Sequence, residues 1–467
     1  MPHRTLLYAC LCAATLAGPT PAAADVFRAG AARVEIVPPF PTQMGGFFDR
    51  KATFTGVALP IYARALVCDS DGTRVAVVAT DLIGVSRDLV AAARAKIEAE
   101  TSIPARHVMI AATHTHSAPS GFQSQNHYGG GFNKPLFDFL AERFATAVRD
   151  AAGKLRPARL AHGQGEVEHF FRNRQQDNEL VVDRRIEVVK ILGAEKRDVI
   201  AILFGFTGHP VVLGSSNLLL SGEFPGQCAL TVEAVLGGVA LPLQGACGDV
   251  TVHRSGPPHQ EVLRLGRIVA GEVIKAAELL RPEASAVTVG ALLHEVTLAP
   301  RQVPTPEEAA ALLEAAKAAL EAAEERGVAA PIRSRLRRDI NAAETTRNVA
   351  VFVKDRPEFI AASTQTSVQA IRLGDTFLAG IPGELFVEYQ LEMKQRVRQD
   401  FDRHLIVVGY ANDYIGYIVT PRAKRTGGYE QAIARVDEHA GRQLTEKAME
   451  LVTELFGLGQ SGTNNSP

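Results

Sequence analysis

The sequence contains no tryptophan, and aromatic residues make up only 6% of its 467 positions. Cysteine is scarce as well: of five, Cys10 and Cys12 fall at the very start, leaving Cys68, Cys228 and Cys247. Three cysteines close at most one disulfide, which excludes a disulfide-stapled scaffold and leaves stability to a large apolar core. An excess of charge of one sign is also missing, since 50 basic residues face 51 acidic ones for a formal net charge of -1. That balance argues against nucleic acid as a partner and offers no basic face to anionic membranes. Nor does any segment stay apolar over the length that a membrane-spanning helix requires. The apolar run Leu6 to Ala17 comes nearest. With His3 and Arg4 ahead of it and Ala22-Ala23-Ala24 behind, residues 1–24 read as a secretory signal peptide cleaved near Asp25. The expectation is an exported protein, periplasmic or extracellular.

What is present is an alternation of β and α patterns in a chain that is 46% hydrophobic. Strands are expected at Arg74–Thr80, His107–Ala112, Ile186–Leu192, Val199–Phe206, Ala286–Leu298, Ser367–Leu373, Thr376–Ile381 and His404–Val408. Helices are expected from a Ser86 cap to Glu100, then at Leu136–Leu155, Pro225–Leu236, Gln260–Leu280 and Glu430–Leu451. The pattern predicts an α/β fold: one large layered domain over residues 25–455, with mixed β-sheets flanked by helices. A segment rich in Ala, Glu and Lys, Thr305–Arg326, opens Thr305-Pro306-Glu307-Glu308, with capping-box spacing and a proline at the first helical position. With the stretch Ser334–Thr346 it reads as a structural helical hairpin inserted at about 303–347. The polar tail 456–467 is expected to be disordered.

Five apolar runs end in small residues and a polar group: Met109–Ala112 into His114-Thr115-His116, Ile202–Phe204 into His209, Leu241–Leu243 into Asp249, Phe377–Ala379 into Glu384, and Ile406–Val408 into Asn412-Asp413-Tyr414. Ligands of open α/β sheets bind beyond the carboxyl ends of strands, so these ends are candidates for one shared pocket. The sharpest local signal is His114-Thr115-His116. In extended backbone, residues i and i+2 face one side, which would point both imidazoles into the pocket. With His209 and Glu384, the set matches the nitrogen and oxygen ligands that zinc accepts, with room for a water.

The run Ala111-Ala112-Thr113-His114-Thr115-His116-Ser117-Ala118-Pro119-Ser120-Gly121-Phe122 resembles the ATHTHSGPGG signature of neutral (non-lysosomal) ceramidases. Further segments fall in that family's order: Asn173-Arg174, Phe204–His209, Gly222-Glu223-Phe224-Pro225-Gly226, Gly248-Asp249-Val250-Thr251, Ile381-Pro382-Gly383-Glu384, Asn412–Thr420 and Gly427-Gly428-Tyr429-Glu430. The similarity runs from about Ala31 to Leu451. It implies hydrolysis of an N-acyl amide, ceramide or a relative, to an amine and a fatty acid, with one zinc ion per chain. The implied zinc ligands are His114, His209, Glu384 and Tyr417; the twelve-residue interval to Tyr429 selects Tyr417 over Tyr414. The implied substrate site holds His116, Arg174, Tyr429 and Gly46, with His116 as the group that passes a proton to the leaving amine.

Simpler roles stand beside these. Arg174 also suits a solvated turn, Tyr429 a helix cap, Asp249 a turn or cap, and Gly45-Gly46 an ordinary turn. Two departures bear on the substrate. The family's serine in G-D-V-S-P is Thr251 here, whose β-branched hydroxyl has a restricted χ1. The family's larger members also continue into a β-sandwich domain past the region of similarity. Both leave open a smaller, more soluble amide or ester as substrate, or a zinc-binding relative without turnover.

Overall fold

The computed structural model describes residues 26–47, 50–123, 131–175, 181–282 and 287–458. Its frame is two β-sheets packed face to face, with helices on both outer sides. The larger sheet has eight strands in the order Val239–Gln244, Val199–Phe206, Arg185–Gly193, Arg156–Glu166, Arg28–Glu35, Tyr62–Ser70, Thr73–Thr80 and Val108–Ala112. Its interior pairings are antiparallel, while the pair at each edge is parallel. The second sheet runs Val289–Thr297, Gln365–Leu373, Thr376–Gly380 and His404–Val408, and its last pair is parallel. Both sheets are therefore mixed, as the alternating pattern predicts.

Four apolar clusters hold the layers together. One is drawn from strands of both sheets, including Val77, Met109, Leu203 and Leu243 against Ile371, Leu378 and Ile406. It explains why runs such as Val199–Phe206 are apolar throughout: each such strand is covered on both faces. Helices Arg87–Thr101 and Lys134–Ala152 cover one half of the larger sheet, and Glu223–Leu236 with Pro258–Leu279 the other. Helices Val387–Phe401 and Ala440–Leu458 cover the smaller sheet. Cys68, Cys228 and Cys247 are buried and free, so no disulfide contributes among the described residues. No helix among the described residues is long and apolar enough to cross a membrane.

Local chemistry sets the helix starts. The Ser86 hydroxyl accepts from the Leu89 amide at 3.4 Å, and Thr305 with Glu308 forms the reciprocal capping box expected from Thr-Pro-Glu-Glu. The hairpin is present, but its second helix runs Ala330–Asp355 and not Ser334–Thr346, because Ala329-Ala330-Pro331 starts it earlier. The single terminal helix expected at Glu430–Leu451 is two: Tyr429–Ile433 and Ala440–Leu458. Between them Asp437 caps the later helix by accepting from the His439 and Ala440 amides. That helix continues to Leu458, with Leu455 buried, so the tail expected from residue 456 begins no earlier than 459. The expected signal peptide and most of the tail lie outside the described residues. The helix Val387–Phe401 and the strands Arg28–Glu35, Tyr62–Ser70 and Arg156–Glu166 were not expected from the sequence. The last of these contains Pro157, Gly163 and Gly165, which mask a strand pattern.

Candidate metal centre

The site forms where parallel edge pairs of both sheets release their chains at carboxyl ends. The strand Val108–Ala112 ends two residues before His114, and Val199–Phe206 ends three before His209. From the smaller sheet, Thr376–Gly380 runs on to Glu384, and His404–Val408 to Tyr410. Asn412 ties the two sheets together: its side-chain oxygen accepts from the Ile110 amide at 3.0 Å, and its own amide donates to the Ile110 carbonyl at 2.7 Å.

His114 and His116 do share one pocket, but not by strand alternation. The strand has already ended, and His114 has φ of +66°, a left-handed turn that swings its ring inward. Such a conformation at a non-glycine residue costs free energy that the surroundings must offset. Here the ring stacks on Tyr410 at 4.1 Å between centroids. Nδ1 of His114 lies 2.6 Å from the Ile83 carbonyl oxygen, and Nδ1 of His209 lies 2.8 Å from that of Cys247. A carbonyl can only accept, so both Nδ1 atoms carry the proton and both Nε2 atoms present lone pairs. Those Nε2 atoms face each other at 2.9 Å, and Nε2 of His116 is 3.1 Å from that of His114. Lone pairs this close repel unless a cation lies among them.

Glu384 completes the set. Its Oε2 lies 3.5 Å from Nε2 of both His114 and His209, and is buried without a hydrogen-bond partner among the described residues. Its Oε1 accepts from the Tyr414 hydroxyl. Burial alone would raise the Glu384 pKa, but donors and positive charge around it, including the Tyr414 hydroxyl and Arg174, outweigh it and hold the group below the usual range. Burial pushes His209 and His116 well below the ordinary histidine pKa, helped for His209 by Arg174 and for His116 by His114. Imidazoles converging on a buried carboxylate are the donor set of a divalent transition metal. The residues therefore fit a metal, with each ligating imidazole oriented by a backbone carbonyl.

The remaining expected site residues divide. Arg174 donates its amide to the Asp249 carbonyl at 2.7 Å, directs Nη2 to the Gly248 carbonyl and the Tyr417 hydroxyl, and pairs through Nε with Glu430 at 3.0 Å. Its burial is offset by Glu430 and Tyr417, which raise its pKa, so it remains a cation. The solvated-turn role is thus excluded. Tyr417 is buried beside Glu384, its strand partner, and its ring meets that of half-exposed Tyr429 edge-on at 6.1 Å. The hydroxyl on Glu384 is that of Tyr414, whereas the Tyr417 hydroxyl takes its bond from Arg174. Thr251 sits opposite Arg172 in a short antiparallel pair, and its hydroxyl makes no hydrogen bond to the cluster among the described residues.

Gly46 has φ of +104°, and a Cβ there would lie 2.7 Å from the His116 Cβ. No other residue type fits that approach. Gly46→Ala is expected to displace His116 and lower turnover about 100-fold while leaving bound metal in place. Paired kinetic and elemental measurements check this; joint loss of metal and activity would contradict it.

Two contributors, Tyr410 and Arg50, escape sequence reasoning, while Asp249, a strand-end candidate in the sequence, proves to be a buried acceptor. Tyr410 stacks on His114 and bonds to the Cys247 sulfur at 2.9 Å. Arg50 draws the carbonyls of Gly45, His116 and Asn217 to one guanidinium. Asp249 accepts from the Val387 amide at 2.8 Å and from Asn173 Nδ2 at 2.7 Å, and burial pushes its pKa up to about 7. The Gly409-Tyr410 pair at a strand end was visible, but nothing in the sequence placed it against His114.

The arrangement is that of a known class of mixed α/β fold. It superposes on the crystal structure of neutral ceramidase from Pseudomonas aeruginosa with a TM-score of 0.74 at 20% identity, covering 93% of this chain and 75% of that one. A ceramidase structure complexed with C2 gives a TM-score of 0.73 at 18% identity, covering 94% and 76%. Residues 27–247 match the model of the neutral/alkaline non-lysosomal ceramidase N-terminal family. The neutral ceramidase of P. aeruginosa is 24% identical over 443 residues, 83% of this chain and 66% of its own length. Neutral ceramidase A of Dictyostelium discoideum is 27% identical over 245 residues, 46% of this chain and 34% of its own. The chain thus spans just under two thirds of one relative and about a third of the other.

Proposed function

We propose that this protein is an exported, zinc-dependent hydrolase of linear N-acyl amides, yielding a fatty acid and an amine. The observation that carries the reading is the facing Nε2 pair of His114 and His209, 2.9 Å apart, with Glu384 Oε2 at 3.5 Å from each. His114, His209 and Glu384 would hold the ion, with Tyr417 completing the set. When bound, zinc supplies an acidified water and a Lewis acid for the amide carbonyl. The other residues act on the substrate. His116, kept neutral by burial, has an Nε2 that can accept a proton and return it to the leaving nitrogen. Arg174 and Tyr429 offer N–H and O–H donors toward the carbonyl oxygen as negative charge grows there. Because Arg174 is locked by Glu430 and Gly248, those donors are positioned before substrate arrives.

Its similarity to neutral ceramidases makes ceramide the first amide to try. The placement of Thr251 outside the cluster's hydrogen bonds favours the water route over a hydroxyl nucleophile. The test is mass spectrometry of products from metal-loaded protein given ceramides, N-acyl amino acids and short amides. Release of free fatty acid from at least one supports the proposal, and intact amides across the whole panel would overturn it.

A further inference from the structure

The imidazoles of His114 and His209 are oriented through their rings, since each Nδ1 faces a backbone carbonyl, at 2.6 Å and 2.8 Å. His116 has a different support, through its main chain. Its amide donates to the Pro210 carbonyl at 3.3 Å, and its carbonyl accepts from Nη2 of Arg50 at 2.5 Å. The same Nη2 also donates to the Gly45 carbonyl, and Nη1 donates to the Asn217 carbonyl at 3.1 Å. One buried guanidinium thus gathers three segments that are far apart in sequence. Each of them bears on His116. Gly45 leads into Gly46, where a Cβ would lie 2.7 Å from that of His116. Asn217 donates its side-chain amide to the Ser117 hydroxyl at 3.1 Å, which holds the residue after His116. The guanidinium also lies 5.0 Å from the centre of the Phe47 ring, and Phe47 meets the His116 ring edge-on at 5.1 Å. Backbone and ring wall of His116 therefore rest on the same side chain.

The geometry points to Arg50 as the positioning residue for His116, fixing the imidazole that passes a proton to the leaving nitrogen and acting through that residue alone. The inference rests on the hydrolase reading, which gives His116 its task. A guanidinium suits the place because it stays charged when buried and carries its N–H donors in a fixed planar fork. An ammonium is a point donor on a flexible stem and cannot hold three carbonyls at the same angles. Precision matters here because a proton is transferred only within hydrogen-bond reach, and a displacement of about 1 Å can cost about 100-fold in rate. The turn Gly45-Gly46, which also suited an ordinary loop, becomes one jaw of a clamp that Arg50 closes.

The test is a double-mutant cycle on metal-loaded protein, with an amide that wild type cleaves. Arg50→Gln should lower kcat about 100-fold while KM stays within about 3-fold and bound metal is unchanged. In a His116→Ala background the same substitution should change kcat by less than about 2-fold, because the group it positions is already gone. A residue that only stabilised the fold would lower the rate in both backgrounds. Arg50→Lys keeps the buried charge and serves if Arg50→Gln does not fold; it should show the same pattern at about one tenth of the wild-type kcat. Crystallography of the folded variant supplies a readout that needs no turnover. The carbonyl and ring of His116 should shift, while His114, His209 and Glu384 stay in place. An unmoved His116, lost metal, or an equal loss of rate in both backgrounds would overturn the inference and leave the hydrolase reading intact. A displaced His116 in a protein whose wild type cleaves no amide would sink the hydrolase reading and keep the placement of His116 by Arg50.

Discussion

His114→Ala should reduce bound metal from about one equivalent to near zero and lower amide hydrolysis by about 1,000-fold or more, the scale on which removal of an essential catalytic group acts. The effect is large because this ring is central to the cluster. Its Nε2 is within 3.1 Å of Nε2 of His116 and 2.9 Å of that of His209, and Glu384 Oε2 is 3.5 Å away. Deleting it also removes the stacking partner of Tyr410. A purely structural effect would appear as lost stability with metal retained per folded molecule. Elemental analysis of the folded fraction distinguishes the two, and full metal occupancy in the variant would contradict the assignment.

The second large effect lies outside the pocket. Lys394 is buried with Nζ 2.8 Å from Asp183 and 2.9 Å from Glu187, both nearly inaccessible. Lys394→Met should cost about 3–5 kcal/mol, because it removes the buried cation that Asp183 and Glu187 share and leaves Asp183 with Arg185 alone. The cluster is also tied to the metal centre. Gln390 donates to Asp183 at 2.9 Å and accepts from the Ala246 amide at 2.7 Å. The next residue, Cys247, provides the carbonyl that orients His209. The variant is therefore expected to lose metal affinity along with stability.

The pH dependence follows from the directions of the shifts. Burial would raise the Asp183 pKa, but Lys394 and Arg185 outweigh it and bring it to about 2. A depressed carboxylate contributes stability that is complete above the unfolded value of about 3.9 and is lost as pH falls toward the folded value. Glu187 is likewise depressed, and its contribution has the same sign. Lys394 is raised against its own burial by the same two acids, so its contribution persists at neutral pH and fades only as alkali deprotonates it. Chemical denaturation of wild type should show a level contribution between about pH 4 and pH 10. The Lys394→Met deficit should be largest at neutral pH and shrink toward pH 4, as the two acids take up protons. A deficit independent of pH would indicate lost packing only.

Much of the framework was legible because burial writes itself into runs such as Val199–Phe206. The five strand ends were legible too, since an apolar run that breaks into glycine and a polar side chain marks where a rigid element releases a functional loop. Register and conformation across separate elements were not. The inward turn of His114 depends on a left-handed backbone that no local pattern dictates, and it is stabilised by Tyr410, nearly 300 positions away in sequence. Spacing separated Tyr414 from Tyr417 by family resemblance alone, whereas in the folded chain each hydroxyl has its own partner, Glu384 and Arg174 respectively. The helix Ala330–Asp355 read as a spacer because its arginines look like an ordinary solvated face. Only the packing of Tyr429–Ile433 against it makes that face the wall of a cavity.

Elemental analysis of the purified wild-type chain, dialysed against metal-free buffer, tests the central claim most directly. The predicted result is about one zinc per chain, tracking the folded fraction and absent from His114→Ala. Folded wild-type protein that holds no stoichiometric zinc, and takes up none when it is offered, would contradict the account.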